Sequence, residues 1–568
     1  MDSNLPYEFF LTDSLEKVFP EQKPRKLESR NFTLLKGESF NFQLVHFYDF
    51  KDSYNPLDFT ISIAADTALK ENTKIYETQL VPVDLAAYLD RVDTDYLFTE
   101  PRLAPDLLLE LENNIFRPYA KQYRSLWIAL KVPEDLAAGK YEYKLLIKHE
   151  GKVVHEESLT LEILASTLAK QEIKHTEWFH TDCLADYYQV EVFSEKHWQI
   201  IGNFMQALVN VGANMILTPI FTPPLDTKVG GERTTVQLLD ISIENKPQDL
   251  GEAKYKFNFK KLERWLNLAL GKGITYFEMP PLFTQWGAKA CPKVIVNVNG
   301  KNEKLFSWDT KATSKAYKNF LEQLLPALID FLKDKGLLEK TYFHISDEPN
   351  QDNLEDYKAA QSLVLPYLKD LHLIDALSNY EFYEKGLVKT PVVATDHLKD
   401  FKEHKVSNYW VYYCCAQAQD VSNRFISMPS SRNRILGLQL YLDDIKGFLH
   451  WGFNFYNAQF SRYNLNPFVK LDAYNAFPAG DPFLVYPAKD GKALYSLRAL
   501  VLKEAFEDIR KLRTLENLSS RAEVEALIKK HFKEEITFKN YPKGEDAYKK
   551  LLSFDKKVKD AIKTHLET

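Results

Sequence analysis

Thr341-Tyr-Phe-His-Ile-Ser-Asp-Glu-Pro-Asn350 reads as a β-strand that runs directly into two adjacent carboxylates, Asp347 and Glu348. Aromatic and β-branched residues give residues 341–345 a strand-like composition. Pro349 disfavours a helix at Glu348 and favours an extended backbone there. Neighbouring carboxylates repel each other and bring no structural advantage. The pair is therefore a candidate catalytic site, although the alternative that it simply begins a loop before the next helix stays open at this point.

This strand belongs to a repeating pattern that begins near residue 170. Strand-like runs alternate with helical patterns in about eight units, which predicts a (β/α)8 TIM-like barrel. In such a barrel the active site lies at the carboxyl ends of the strands, where Asp347 and Glu348 fall. The predicted barrel strands cover residues 174–180, 214–220, 274–279, 342–346, 373–378, 391–395, 408–413 and 447–451.

Amphipathic patterns between these strands predict the barrel helices. Ser194 is placed to cap a helix that stops at Gly212. Residues 261–270 form another helix that ends at Gly271, and residues 314–332 form a long one.

The whole chain divides into three predicted parts. Its 568 residues are too many for one hydrophobic core. Short alternating runs separated by turn signals predict an N-terminal β-sandwich accessory domain over residues 1–168. The catalytic barrel is assigned to residues 169–485. Residues 486–568 read as a helical C-terminal segment packed on the barrel.

Composition and charge exclude several classes of protein. The net charge of −6 gives no electrostatic reason to expect nucleic acid or an anionic membrane as a partner. No apolar stretch is long enough to span a bilayer, and the first residues lack the pattern of a signal peptide. The four cysteines form no CxxC pair, so a disulfide framework is not expected. These features predict a cytoplasmic protein and leave its oligomeric state open.

Several predicted strands end in aromatic, amide or charged side chains. Strand alternation places His344 and Glu348 on the inward face. Asp347 belongs to the opposite face and reaches the same site only because the strand is ending there. Aromatic rings, amides and carboxylates that converge on one rim indicate a sugar pocket, and 13% of the residues are aromatic. The candidate binding residues are Trp178, His180, Gln285, Trp286, His344, Asn379, Tyr412, Tyr413, Trp451 and Asn454.

Other chemistries have weaker support in the sequence. A catalytic metal lacks the HxH or HExxH spacing at every predicted strand end. A cysteine nucleophile is not supported, because Cys414 and Cys415 look like buried strand residues and Cys183 has no suitably spaced partner. No nucleotide-binding glycine loop occurs, and no cofactor is expected. The side chains at the predicted strand ends that could in principle bind a metal are His180, Asp182, His344, Asp347, Asp396 and His397.

Three segments together resemble glycoside hydrolase family 123 and its larger relatives: Phe343-His-Ile-Ser-Asp-Glu-Pro349, Trp451-Gly-Phe-Asn-Phe-Tyr456 and Gly480-Asp-Pro-Phe-Leu-Val-Tyr-Pro487. The resemblance covers most of the chain and implies a sandwich, a barrel and a C-terminal portion. It also implies an exo-acting β-N-acetylgalactosaminidase that retains configuration through the acetamido group of its own substrate, an oligosaccharide or glycoconjugate. By the same resemblance, Asp347 orients the acetamido group, and Glu348 acts as general acid and base.

Two alternatives remain beside this reading. The first is a glycosidase of other specificity, such as a β-N-acetylglucosaminidase. The second is a barrel that binds carbohydrate without catalysis. The adjacent carboxylates argue against the second, since a binding module needs no acid.

Overall fold

The computed structural model describes residues 6–50 and 56–567. Its N-terminal part is rich in sheet, as predicted, and contains two five-stranded sheets. The first sheet consists, in spatial order, of Tyr7–Asp13, Ser39–Tyr48, Arg124–Lys131, Thr73–Val83 and Arg102–Glu110. The second consists of Asn31–Lys36, Lys152–Thr167, Gly139–His149, Phe59–Ala65 and Ile115–Phe116.

Apolar side chains from both sheets share one hydrophobic cluster. Leu44 and Ile128 contribute from the first sheet, and Ile61 and Tyr143 contribute from the second. Alternation along each strand sends these residues to the same side, so the two sheets bury a common core. One short helix, Thr67–Glu71, precedes the strand Thr73–Val83.

Eight parallel strands then close into a barrel, which confirms the predicted ring of strands. The ring closes because its first strand pairs with both its second and its eighth. Each observed strand lies within or overlaps its predicted range and is mostly shorter than that range. The barrel strands are Lys174–Glu177, Met215–Leu217, Tyr276–Glu278, Thr341–Phe343, His372–Leu377, Thr390–Ala394, Trp410–Tyr412 and Gly447–His450.

Side-chain alternation at the fourth barrel strand is as expected from the sequence. Tyr342 packs in the cluster inside the barrel. Phe343 and Ile345 pack outward in the core that the barrel shares with its helices. His344 follows Tyr342 on the inward side, where it meets Glu278 of the third barrel strand.

Helices surround the barrel and begin mostly where the sequence predicts. Ser194 and Ser314 cap their helices through their hydroxyl groups. The helix predicted to end at Gly271 instead continues to Lys272 and ends at Gly273, whose φ of 99° suits a left-handed cap. The helices of this region are Thr181–Tyr188, Glu195–Asn210, Lys260–Lys272, Lys315–Asp334, Leu354–Leu368, Glu381–Glu384, Leu398–Glu403, Ser430–Arg434 and Leu436–Leu442.

A four-stranded sheet that the sequence analysis did not predict lies between the second and fourth barrel strands in the chain. Its strands, in spatial order, are Lys256–Asn258, Asp240–Ile243, Val294–Val298 and Lys301–Phe306. Lys256–Asn258 and Lys301–Phe306 are short and mostly polar, so their sequences resemble loops more than strands. A two-stranded ribbon, Val485–Pro487 with Ala493–Tyr495, follows the barrel.

The C-terminal residues are helical, with helices Leu497–Leu518, Arg521–Phe532 and Gly544–Glu567. The first of these connects the N-terminal sheets to the barrel through Glu504. That carboxylate accepts hydrogen bonds from Ser14 (2.8 Å) and Asn41 (2.8 Å) on one side and from Arg434 (3.1 Å) on the other. Throughout the described ranges, no helix is long and apolar enough to cross a membrane.

Candidate active site

A cavity of about 160 Å³ opens at the carboxyl ends of the barrel strands, and both Asp347 and Glu348 line it. Five of the predicted binding residues line the same cavity: Trp178, Gln285, Trp286, Tyr412 and Trp451. The remaining lining residues were not predicted: Leu225, Asp226, Ala376, Cys414, Cys415, Leu449, Gln459, Phe460 and Phe477.

Backbone hydrogen bonds fix the carboxylate pair between two neighbouring strand ends. The Glu348 N–H donates to the carbonyl of Ala376 (3.1 Å), and the carbonyl of Asp347 accepts from the Trp286 N–H (2.8 Å). The expectation of an extended backbone at Glu348 is wrong, because its φ is 44°. This left-handed conformation is unfavourable for a residue with a side chain, and such residues concentrate at functional sites. It turns the chain so that both carboxylates face one cavity.

Both carboxyl groups of the pair have raised pKa values. Burial raises the pKa of Asp347 well above its ordinary value, and the adjacent Glu348 carboxylate raises it further. Burial also raises the pKa of Glu348. The Tyr412 hydroxyl donates a hydrogen bond to Oε1 of Glu348 (2.8 Å), and this contact lowers the pKa and so opposes the effect of burial. Two neighbouring carboxylates in a partly dehydrated cavity resist double ionisation. The pair therefore holds a proton to higher pH than an exposed carboxylate does.

A buried charged layer lies beneath the pair. His344 contacts Glu278 through Nε2 (2.6 Å) and Asp375 through Nδ1 (3.3 Å). Although burial opposes the charged ring, the hydrogen bonds to these two carboxylates raise the pKa of His344 to about 10. The resulting imidazolium lowers the pKa of Asp347 and so opposes the effect of burial. Tyr357 completes the layer by donating to the second oxygen of Asp375.

Two tryptophans form walls of the cavity and are held by buried carboxylates. The indole N–H of Trp178 donates to Glu278 (2.8 Å), and that of Trp451 donates to Asp481 (2.9 Å). A buried indole that finds an acceptor keeps one orientation, so its apolar face stays available to the cavity. Ring faces of this kind suit the C–H faces of a sugar.

A third carboxylate, Asp226, enters the cavity from the loop after the second barrel strand. Burial raises the pKa of Asp226 to about 6, and its Oδ2 accepts from the Phe460 N–H (3.0 Å). Its own N–H donates to Oε1 of Gln285 (2.5 Å). The Nε2 group of Gln285 is buried without a partner among the described residues, which leaves a donor available to a ligand.

Three predicted residues support the cavity from behind, two of them near the first and eighth strand ends. His180 is buried, with Nδ1 accepting from Arg233 (2.9 Å) and Nε2 donating to the Trp451 carbonyl (2.8 Å). Burial lowers its pKa to about 3, so the ring is neutral. Asn454 exchanges two hydrogen bonds with the backbone of His180 and thereby ties the two strand ends together. His344 lies below the cavity in the charged layer.

Two other predicted residues lie away from the cavity lining. Tyr413 points to the opposite side of its strand from Tyr412, and its buried ring packs against Phe448 and His450. Asn379 is half-buried, and its side chain accepts from the N–H of Glu381 (2.9 Å) to begin the next helix.

The possible metal ligands do not converge. Asp182 is held by Arg233 in a two-fold ion pair with both distances 2.7 Å, while Asp396 and His397 contact each other elsewhere (2.6 Å). Across residues 6–50 and 56–567, no group of three or more His, Cys, Asp or Glu side chains is arranged to hold a metal ion. The cysteines Cys414 and Cys415 are not buried strand residues as expected, because they follow the seventh strand and are partly exposed.

Neither Asp226 nor Glu278 is among the predicted site residues, and the reasons differ. Glu278 carries a visible signal, since a carboxylate at the end of an apolar strand needs a buried partner. Asp226 follows Thr222-Pro-Pro-Leu225, and its φ of 37° gives no signal in a sequence. Strand alternation does not locate side chains in the loops between strands and helices.

Comparison with known proteins agrees with this architecture. Residues 178–515 match the model of the glycoside hydrolase 123 catalytic domain. The structure is similar to a family 123 glycoside hydrolase from Clostridium perfringens, with a TM-score of 0.72, 16% identity, and coverage of 98% of this chain and 97% of that one. A Bacteroides ovatus GH5 xyloglucanase matches with a TM-score of 0.30 and 11% identity over 84% of this chain and 98% of that one. No curated protein sequence matches this chain.

Proposed function

This chain belongs to glycoside hydrolase family 123, and we propose that it is an exo-acting, retaining β-N-acetylgalactosaminidase-like enzyme. The observation that carries the proposal is the pair of adjacent carboxylates, Asp347 and Glu348, in one small cavity. In this proposal the acetamido group of the substrate supplies the nucleophile, and the protein supplies positioning and proton transfer.

The adjacency of the carboxylates favours assistance by the substrate over double displacement. Most retaining glycosidases place an acid and a nucleophile about 5–5.5 Å apart on opposite sides of the scissile bond. Asp347 and Glu348 are consecutive, and their backbone is fixed on one side of the cavity. An acetamido oxygen that attacks C1 makes a nucleophile on the protein unnecessary. Asp347 then accepts the acetamido N–H and stabilises the positive charge that develops on the oxazolinium ring.

Substrate binding itself decides which carboxyl group carries the proton. The acetamido N–H is a donor, so it binds the ionised form of Asp347 more strongly than the protonated form. The His344 imidazolium beneath Asp347 favours the same ionised form. The proton of the pair is therefore held by Glu348 in the complex. Glu348 protonates the leaving oxygen, and as a carboxylate it then activates water against the oxazolinium.

The cavity supports a terminal sugar as the group that is released. Its volume of about 160 Å³ lies below the range of about 300–1,000 Å³ typical of larger ligands. Trp178 and Trp451 supply the walls, while Asp226 and Gln285 supply an acceptor and a donor for hydroxyl groups. The similar Clostridium perfringens structure concerns glycolipid glycan hydrolysis, which supports an oligosaccharide or glycoconjugate as substrate. We assign no cofactor to the reaction.

We also propose how the chain divides into domains. Residues 1–168 form a β-sandwich accessory domain, residues 169–485 form the catalytic (β/α)8 barrel, and residues 486–568 form a helical segment that joins them. The two N-terminal sheets with their common core and the helix Leu497–Leu518, which contacts both neighbours, support this assignment.

The decisive experiment compares 4-nitrophenyl β-N-acetylgalactosaminide, β-N-acetylglucosaminide and β-galactoside as substrates. We expect hydrolysis of the acetamido sugars only. Glu348→Gln is expected to lose far more activity on poor leaving groups than on activated aryl glycosides, because the acid matters less as the leaving group improves. Asp347→Asn is expected to lose activity on both, with each loss on the order of 10²–10⁴-fold.

Hydrolysis of the plain galactoside would contradict participation of an acetamido group. Near-wild-type activity of either variant on an N-acetylhexosaminide would contradict the role proposed for the carboxylate pair. Binding of these sugars without turnover would favour a non-catalytic carbohydrate-binding barrel. Dialysis against EDTA tests the metal alternative, and we expect no loss of activity.

A further inference from the structure

An aromatic surface extends outward from the mouth of the cavity. Trp286, which lines the cavity, is 37% exposed, and Tyr463 and Tyr474 are 48% and 55% exposed. The two tyrosine rings meet edge to face with their centroids 5.7 Å apart. A cluster of solvent-exposed aromatic rings that contact each other is typical of a ligand-binding or interaction surface.

Direct contacts connect this surface with the cavity. Phe460 lines the cavity, and its ring lies edge-on to Trp286 with the centroids 5.8 Å apart. The chain then turns, and the N–H of Ala458 donates to the carbonyl of Tyr463 (2.9 Å). The backbone of Tyr463 is thereby held in the same turn as Phe460.

The backbone that presents these rings is strained in two adjacent segments. Phe460 and Ser461 have φ values of 60° and 51°. Residues 473–475, which include Tyr474, are left-handed at three consecutive positions with φ values of 49°, 64° and 60°. The segments are joined by a hydrogen bond from the Gln459 N–H to the Ala473 carbonyl (3.1 Å). Side-chain-bearing residues rarely adopt this conformation, and its clustering is typical of ligand-binding segments.

The same segments are anchored to a carboxylate of the cavity. Asp226 accepts the N–H of Phe460 through Oδ2 (3.0 Å), and its carbonyl accepts the Ser461 hydroxyl (2.7 Å). The aromatic surface is thereby built onto the wall that holds the terminal sugar. Its position relative to the cavity is fixed by hydrogen bonds and does not depend on side-chain packing alone.

We propose that Tyr463 and Tyr474 form a second glycan-binding site, which holds sugars on the leaving-group side of the scissile bond. This inference rests on the proposed function, because an exo-acting cavity retains only the terminal sugar and sends the rest of the glycan through its mouth. Ring faces stack on the C–H faces of sugars. Arg462 and Lys470 flank the rings, with their cationic groups 5.6 Å from the Phe460 ring centroid and 5.7 Å from the Tyr474 ring centroid. Such a mixture of rings and polar donors suits a hydroxylated ligand better than a lipid chain.

The test uses Tyr463→Ala/Tyr474→Ala together and compares two substrates. One is 4-nitrophenyl β-N-acetylgalactosaminide, and the other is a neutral tetrasaccharide that ends in β-linked N-acetylgalactosamine. We expect kcat/KM on the tetrasaccharide to fall about tenfold more than kcat/KM on the aryl glycoside, as for the loss of about one aromatic contact. Tyr463→Phe/Tyr474→Phe keeps both rings and is expected to restore the tetrasaccharide rate to within about twofold. Tyr119→Ala removes a similarly exposed ring (44%) from the N-terminal part and serves as the matched control.

Equal losses on both substrates, or no loss, would overturn the second site. Direct binding separates this outcome from a failure of the proposed function. Glu348→Gln, with and without the two alanines, is titrated calorimetrically with the same tetrasaccharide. If the wild-type protein hydrolyses no acetamido sugar but the alanines weaken tetrasaccharide binding, the proposed function fails and the second site stands. If tetrasaccharide binding is unchanged but the alanines weaken binding to phosphatidylcholine vesicles, the surface binds lipid and the inference is wrong.

Discussion

The hydrogen bond from Tyr412 to Glu348 permits a sharp test of the acid assigned here. The Tyr412 hydroxyl donates to Oε1 of Glu348 at 2.8 Å, and this contact favours the ionised carboxylate. In Tyr412→Phe the donor disappears while the ring remains. A hydrogen bond to a charged group contributes about 1.5–3 kcal/mol, which corresponds to about 1–2 pH units. The pKa of Glu348, which burial already raises, is expected to rise further by that amount.

The assay is the pH dependence of kcat/KM on a disaccharide, whose poor leaving group requires the acid. Activity falls as pH rises through the pKa of the acid, because the proton is then lost. Tyr412→Phe is therefore expected to move the alkaline limb to higher pH by about 1–2 units. The same limb should be weaker on a 4-nitrophenyl glycoside in both proteins, since that leaving group departs with little protonation.

Tyr413→Phe is the matched control. Tyr413 directly follows the last residue of the strand and points to the opposite side. Its buried hydroxyl has no hydrogen-bond partner in the described part of the chain. Its profile should match that of the wild type. An unmoved alkaline limb in Tyr412→Phe, a limb moved to lower pH, or an equal shift in the control would each refute Glu348 as the acid.

Two further predictions concern buried charges outside the cavity. Burial raises the pKa of Asp13 from an ordinary 3.8 to about 7. Between these two pH values the native state keeps a proton that the unfolded state releases. The free energy of unfolding therefore falls as the pH rises through this range. Asp13→Asn should therefore stabilise the protein by about 3 kcal/mol more at pH 8 than at pH 5, and melting temperatures that shift equally at both pH values would contradict this. Glu177 forms a fully buried two-fold ion pair with Arg424, with both distances 2.7 Å. Glu177→Gln leaves the buried guanidinium without its counter-charge and should lower the free energy of unfolding, measured with denaturant, by about 3–5 kcal/mol. The exposed pair Arg264–Glu195 has equally short contacts. Glu195→Gln should leave the free energy of unfolding nearly unchanged, because water screens an exposed pair. Equal costs for the two substitutions would show that burial does not decide the effect.

The eight barrel strands could be predicted because each carries an apolar run that is bounded by turns or helical patterns. Their lengths could not, because ladder pairing stops before the apolar run does: the fourth strand pairs only over Thr341–Phe343, while its pattern continues to residue 346. The four-stranded sheet could not be predicted in full, because one of its strands has no apolar run. Lys301–Phe306 is mostly polar and forms a strand only because Val294–Val298 lies beside it.

The residues around the cavity show the same limit. Alternation predicts which side of a strand a residue occupies, and applied to Tyr412 and Tyr413, which were both predicted to bind, it would have retained only one of them. It fails where the backbone leaves the ladder. Trp286 and Asp226 reach the cavity through left-handed turns with φ values of 58° and 37°. Such turns depend on partners elsewhere in the fold, and a local sequence pattern does not contain them.

Stability alone gives no reason for the arrangement around residues 344–348. The chain buries an imidazolium at His344, places two carboxylates with raised pKa values above it, and bends Glu348 into a left-handed conformation before a proline. Each of these features is unfavourable by itself, and a hydrophobic plug would seal the barrel end at lower free energy. In the proposed mechanism the charged layer makes the pair usable, because the His344 imidazolium favours the ionised form of Asp347 and leaves the proton of the pair to Glu348 once substrate is bound. An acid beside an anion at one strand end is the arrangement that an attacking acetamido group requires, and this supports catalysis over simple sugar binding.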